Sequence, residues 1–177
     1  MTIAPSPIHL SSTIAAPAAA TSCVPSQRAH ARTLHLVDIE NLVAGRATGP
    51  NLRVADHTYR RVIGVNDGDQ VRIACATPAA ATLAFAVPTG RQLLIGGHGP
   101  DAADLALIDS VDIAFTAARF QAVVIASSDH IFAPLAAALA RAGLTVTIAH
   151  RAGNRCAAAL ALASHHQIAL HYPLAIT

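Results

Sequence analysis

The chain has 177 residues, 53% of them hydrophobic and 12% charged, with a formal net charge of +2. That length sets one domain as the default, and the composition excludes a disordered or highly charged chain. The small net charge excludes a broad electrostatic footprint for nucleic acid, though not a local arginine patch. All 12 basic residues are arginine, and Glu40 is the single glutamate among 10 acidic residues. We attribute this skew to a coding bias and read no function from it.

Residues 1–31 read as a Pro-, Ser- and Ala-rich leader without periodicity, expected to be disordered and to lie outside a folded domain spanning 32–177. Ala20-Thr21-Ser22-Cys23 vaguely matches a lipoprotein cleavage site. However, the start carries no basic region, and Pro5, Pro7 and Pro17 interrupt the apolar run. Cys23, Cys75 and Cys156 are widely spaced and form no CxxC pair or zinc ladder, which fits a reducing cytoplasm. No apolar run reaches the roughly 18 residues that a bilayer span needs, so no membrane partner is expected.

Structure is expected from Thr33. Leu34 to Asp38 is a short apolar run that ends in an acid, as a buried strand would. Asn41 to Pro50 reads as turn and loop, and Asp56 as the N-cap of a helix over 57–65 with Tyr59, Val62 and Ile63 on its apolar stripe. Strand-like segments follow at 70–76, 91–95, 122–126 and 144–149, with a short last one at 167–170. Helices are expected at 79–87, 101–119, 131–142 and 154–164. Alternating strands and helices predict an α/β three-layer fold with a mostly parallel sheet and right-handed crossovers.

In open α/β sheets ligands bind beyond the carboxyl ends of the strands. Asp38 ends the first strand, and Ser127, Ser128 and Asp129 follow the strand 122–126. Asp101 and Asp104 lie in the first turn of the longest helix, just after the glycine-rich loop 96–99. If the two apolar strands are neighbours, Asp38 and Asp129 meet in one crevice that Asp104 can reach. Carboxylates so gathered repel unless a cation lies between them, and oxygen ligands alone suit Mg²⁺ or Mn²⁺. Each acid also has a plainer role. Asp101 or Asp129 can cap a helix, and Asp104 can complement a helix dipole. Asp38 has the fewest such roles, because a carboxylate ending an apolar strand is costly without a partner.

Leu36-Val37-Asp38-Ile39-Glu40-Asn41-Leu42 resembles the first motif of NYN domains, which belong to the PIN-like nuclease superfamily. The segment Gly99-Pro100-Asp101-Ala102-Ala103-Asp104-Leu105 resembles the central acidic helix of that family. Val123 to Leu135 is similar to its strand, Ser-Gly-Asp, x-Asp-Phe, Pro-Leu motif, and Leu139, Gly143 and Val146 continue the pattern. The resemblance covers about residues 33–150. It implies a Rossmann-like, PIN-like sheet of order 3-2-1-4-5 and a pocket that binds Mg²⁺ or Mn²⁺. The implied activity is endoribonuclease-type hydrolysis of RNA phosphodiesters, with Asp38, Asp104 and Asp129 as metal-binding and catalytic acids. Asn41, Ser128, His130 and Asp101 are the candidate substrate contacts, with Asp109 a further acid on the helix. RNA is the expected partner, and a homodimer is compatible with this reading.

The sequence departs from the motif at two places. Ser128 stands where the motif has glycine, and Ile131 replaces its second Asp. The loss of that acid favours a second reading, a non-catalytic Rossmann-like module that binds RNA or a protein. Gly96-Gly97-His98-Gly99-Pro100 lacks the Walker lysine and the GxGxxG spacing, and reads as a plain loop. Arg46, Arg53, Arg60 and Arg61 could touch phosphates, but a solvated face is the simpler reading; His165-His166 reads as surface. With no Trp, two Tyr and four Phe, a base-stacking platform is poorly supplied.

Overall fold

A computed structural model describes residues 32–86 and 90–175, and the leader expected over 1–31 lies outside the described residues. Six strands form one sheet: β1 (Thr33–Asp38), β2 (Gln70–Cys75), β3 (Gln92–Ile95), β4 (Ala122–Ala126), β5 (Thr145–Arg151) and β6 (His166–Leu170). Their order is β3-β2-β1-β4-β5-β6, and every neighbouring pair is parallel. The expected order 3-2-1-4-5 thus holds, with the short final strand added beyond β5. β4 is apolar throughout, and β1 is apolar but for Thr33, His35 and Asp38, because both faces of these central strands are covered. The register sets Val37 between Ile73 of β2 and Ala126 of β4.

Helices cover both faces. One core cluster joins Val37, Val71 and Ile73 to Leu42 of α1 (Ile39–Leu42), Leu52 and Tyr59 of α2 (Gly49–Tyr59) and Leu83 of α3 (Ala80–Ala86). The other joins Leu34, Leu36 and Ile125 to side chains of three helices. These are Leu107 of α4 (Ala102–Asp109), Leu135 and Leu139 of α6 (Ala133–Arg141), and Leu160 of α7 (Ala158–Leu162). The chain has the α/β three-layer architecture that its alternating pattern predicts, and the sheet is Rossmann-like, as the resemblance implied. Among the described residues no helix is long and apolar enough to cross a membrane.

Several helix boundaries differ from expectation, each for a local reason. Asp56 does not cap a helix at 57–65. α2 starts at Gly49, with Pro50 in its first turn, where a missing N–H costs nothing. Asp56 is therefore inside the helix, and its carboxylate pairs with Arg91 and Arg60. Beyond Tyr59 the chain widens into a π turn, Arg60–Gly64, and Val62 is exposed rather than part of the apolar stripe. The helix expected over 101–119 breaks in two. The Asp112 carboxylate accepts the Phe115 N–H at 2.8 Å and starts α5 (Ile113–Arg119) afresh. The segment 131–142 opens with a 3-10 turn, His130–Phe132, before α6, and 154–164 shortens to α7. The helix expected over 79–87 is a 3-10 turn, Thr77–Ala79, followed by α3; residue 87 lies outside the described residues.

Candidate functional site

Because β1 and β4 are neighbours, Asp38 and the segment Ser127-Ser128-Asp129 emerge side by side at the carboxyl edge of the sheet. Asp38 is only 4% exposed. Its Oδ1 accepts the Asn41 N–H at 3.1 Å, so it caps α1, and its Oδ2 accepts the Ser127 hydroxyl at 3.0 Å. The Ser127 Oγ also accepts the Asp129 N–H at 3.2 Å, which ties the two strand ends together. Asp129 turns its Oδ1 back on the Ile131 N–H at 3.1 Å and lies 2.8 Å from His130 Nδ1, so it does cap the following turn.

Asp104 reaches the same place from α4. The approach depends on Gly96, at the end of β3. A Cβ there would stand 2.3 Å from the Ala102 carbonyl oxygen and 2.7 Å from the Ala103 nitrogen. Only a glycine lets the loop pass so close beneath the first turn of the helix. Asp101 enters α4 in the left-handed region at φ 58, which Asp tolerates better than most residues. Its side chain makes no capping hydrogen bond, so the capping role open to it is not used.

Burial pushes the Asp104 carboxyl up to about 8, and the neighbouring carboxylates of Asp38, Asp129 and Asp101 push in the same direction. Burial also raises Asp38, against the donors Asn41 and Ser127 and against its hydrogen bond with Asp104. Burial and the neighbouring carboxylates thus favour the protonated form of Asp104 beside Asp38. The other Asp104 oxygen, Oδ1, is buried with no hydrogen-bond partner among the described residues.

These acids open onto a cavity of about 260 Å³ lined by Asp38, Glu40, Asn41, Gly99, Asp101, Asp104 and Asp129, among others. Among the described residues no basic side chain lines it. Its donor set is oxygen throughout, which suits a hard cation, and the orphaned Asp104 Oδ1 is an acceptor in want of one. Among the described residues no group of three or more His, Cys, Asp or Glu side chains is placed so that it could hold a metal ion. Mg²⁺ needs none: it commonly keeps several waters and takes one or two carboxylates plus phosphate oxygens.

The candidate site residues divide. Asp38, Asn41, Asp101, Asp104 and Asp129 share the cavity lining, whereas Ser128 and His130 are not among its lining residues. Asp109 is exposed on the helix. Arg46, Arg53, Arg60 and Arg61 are all exposed, as are His165 and His166. Sequence reasoning missed Glu40, which lines the cavity, and Asn154, whose Nδ2 donates to the Asn41 carbonyl at 3.3 Å. Glu40 had a signal, since it lies between Asp38 and Asn41 in the first motif. Asn154 had none, because it is 113 residues from its partner.

No family model matches the chain, and no curated protein matches its sequence. Its fold is similar to the crystal structure of a protein of unknown function from Vibrio parahaemolyticus. The TM-score is 0.52 and the identity 15%, over 82% of this chain and 96% of that one. At that identity the likeness concerns the fold alone.

Proposed function

We propose that this chain is an endoribonuclease that hydrolyses RNA phosphodiesters with one Mg²⁺ or Mn²⁺ held by Asp38 and Asp129, with Asp104 assisting. The observation that carries the reading is the convergence of these three acids on a cavity at the carboxyl edge of a parallel sheet, whose lining among the described residues holds no basic side chain. Such a cation, when bound, offsets charge on the phosphate oxygens and makes a water acidic enough to attack. Ser127 holds the Asp38 carboxylate and the Asp129 backbone in fixed relation, so the two acids need little rearrangement. Asp104, whose carboxyl burial pushes up to about 8, would supply a third carboxylate on releasing its proton.

One observation favours a non-catalytic binding module instead. Ile131 packs against the core where the resembled motif has an acid, which leaves the cluster one carboxylate short. The deciding experiment is calorimetric titration of the full chain with Mn²⁺, alongside cleavage of a single-stranded RNA with and without EDTA. We expect Mn²⁺ to bind, and Asp38→Asn and Asp129→Asn each to weaken binding at least tenfold and to abolish EDTA-sensitive cleavage. Mn²⁺ binding without cleavage of any RNA would leave the binding module, and no Mn²⁺ heat at all would end the metal reading.

A further inference from the structure

Asn41 is gripped on three sides. Its backbone N–H donates to Asp38, its backbone carbonyl accepts from Asn154 Nδ2 at 3.3 Å, and its side-chain Oδ1 accepts from both the Ser128 N–H at 3.2 Å and the Ser128 hydroxyl at 3.0 Å. Because the Ser128 N–H is a donor, the Asn41 atom facing it is the oxygen. The amide nitrogen therefore points the other way, and it has no hydrogen-bond partner among the described residues. Asn41 lines the cavity, so this is a neutral donor among carboxylates.

The grip is itself braced. Arg151 at the end of β5 donates to Asn154 Oδ1 at 3.0 Å, which turns the Asn154 Nδ2 toward Asn41. The same loop reaches back to the other wall, where the Ala157 N–H donates to the Ser128 carbonyl at 3.0 Å. Asn41, Ser128 and the loop 151–157 thus close a ring of hydrogen bonds, of which Asn41 is the member that lines the cavity. Ser128 stands where the resembled motif has glycine, so the hydroxyl bond to Asn41 is an addition of this chain.

We propose that Ser128 and Asn154 are positioning residues that hold the Asn41 side-chain N–H toward the cavity as the donor to a phosphate oxygen of single-stranded RNA. The inference rests on the reading of the cavity as an RNA site. The chemistry behind it is simple. Among the described residues every ionisable group in the lining is a carboxyl, and a phosphate oxygen entering there gains from a fixed N–H donor. Fixing that donor beforehand removes the entropy that an unrestrained amide would lose on binding.

The test is anisotropy titration of the full chain with a fluorescent single-stranded oligoribonucleotide in Ca²⁺, the probe checked for intactness by gel, with Mn²⁺-dependent cleavage measured separately. Ser128→Ala and Asn154→Ala are each expected to raise Kd roughly three- to tenfold, the worth of one positioned hydrogen bond. Ser128→Thr, which keeps the hydroxyl, is expected to bind like the native chain. In an Asn41→Ala background neither alanine variant should weaken binding further, because both act through Asn41. Native affinity in both alanine variants, or losses that add in full to that of Asn41→Ala, would overturn the proposal. Cleavage with unchanged Kd values removes the inference and leaves the nuclease. The expected Kd pattern without cleavage leaves the inference and removes the nuclease. A native chain that binds no RNA overturns the inference outright.

Discussion

β1 carries two buried ionisable side chains, His35 and Asp38, in opposite kinds of surroundings. His35 is answered on both sides: its Nδ1 is 2.8 Å from the Tyr59 hydroxyl and its Nε2 is 3.4 Å from Asp69. Asp69 in turn accepts the Thr33 and Asn66 N–H groups, each at 2.8 Å. Asp38 meets another acid, Asp104, which retains an unpartnered buried oxygen. A buried polar cluster whose members complement one another contributes to the fold. A cluster of like groups costs stability unless something else joins it. The difference between these clusters, three residues apart on one strand, is why the carboxyl end is the candidate site and the His35 cluster is read as structural.

The two clusters should also respond to pH with opposite signs. Burial holds the His35 pKa below its usual 6.5 despite Asp69, so the unfolded chain binds more protons and His35 withdraws stability as pH falls below about 6.5. Asp69, although burial alone would raise it, is held below the usual carboxylate range by the Asn66 and Thr33 N–H groups and by His35. It withdraws stability at still lower pH, below about 4. Asp104 runs the other way. Between about pH 4 and about 8 the folded chain keeps a proton that the unfolded chain has lost, so stability declines as pH rises through that window.

The largest expected effect breaks the complementary cluster. Asp69→Ala removes the acceptor shared by Thr33, Asn66 and His35 and should cost about 3 kcal/mol in denaturant unfolding, with Mn²⁺ affinity unchanged. A cost near zero would mean that the cluster is not structural. Asp104→Asn should do the reverse in metal-free buffer. An asparagine needs no proton, so the variant escapes the cost of protonating a carboxyl that the unfolded chain leaves ionised, which is expected to add about 2 kcal/mol at pH 7.5, or about 4–8 °C in Tm, and to flatten the decline between pH 4 and 8, while Mn²⁺ affinity falls. Loss of stability in that variant would show that Asp104 is well satisfied without a ligand. A finer measurement separates the clusters in the native chain. Mn²⁺ binding at pH 7 should release close to one proton, seen as a dependence of the calorimetric heat on the ionisation enthalpy of the buffer. Asp104→Asn should abolish the release. The smallest effect is expected from Ile131→Asp, which restores the absent acid of the motif. Because Ile131 packs against the core, we expect a loss of about 1–2 kcal/mol, with any gain confined to Mn²⁺ affinity.

The layered α/β architecture follows from local patterns in the sequence. Apolar runs such as Leu34–Val37 and Val123–Ala126 have the period and length of covered parallel strands, and short-range signals of that kind survive folding unchanged. Local patterns also settle which acids stand at strand ends, since position in a strand is a local property. They do not settle helix limits such as those at Gly49 and Asp112, where a breaker and a start signal share the same residues and only the finished turn distinguishes them. Tertiary structure alone decided that Asp104, rather than exposed Asp109, faces Asp38, because a helix turns its residues by about 100° each and Gly96 fixes which side meets the sheet. It alone placed Asn154 against Asn41 and paired His35 with Asp69. Those contacts join residues 113 and 34 positions apart, and no local preference of the chain encodes which distant side chain arrives.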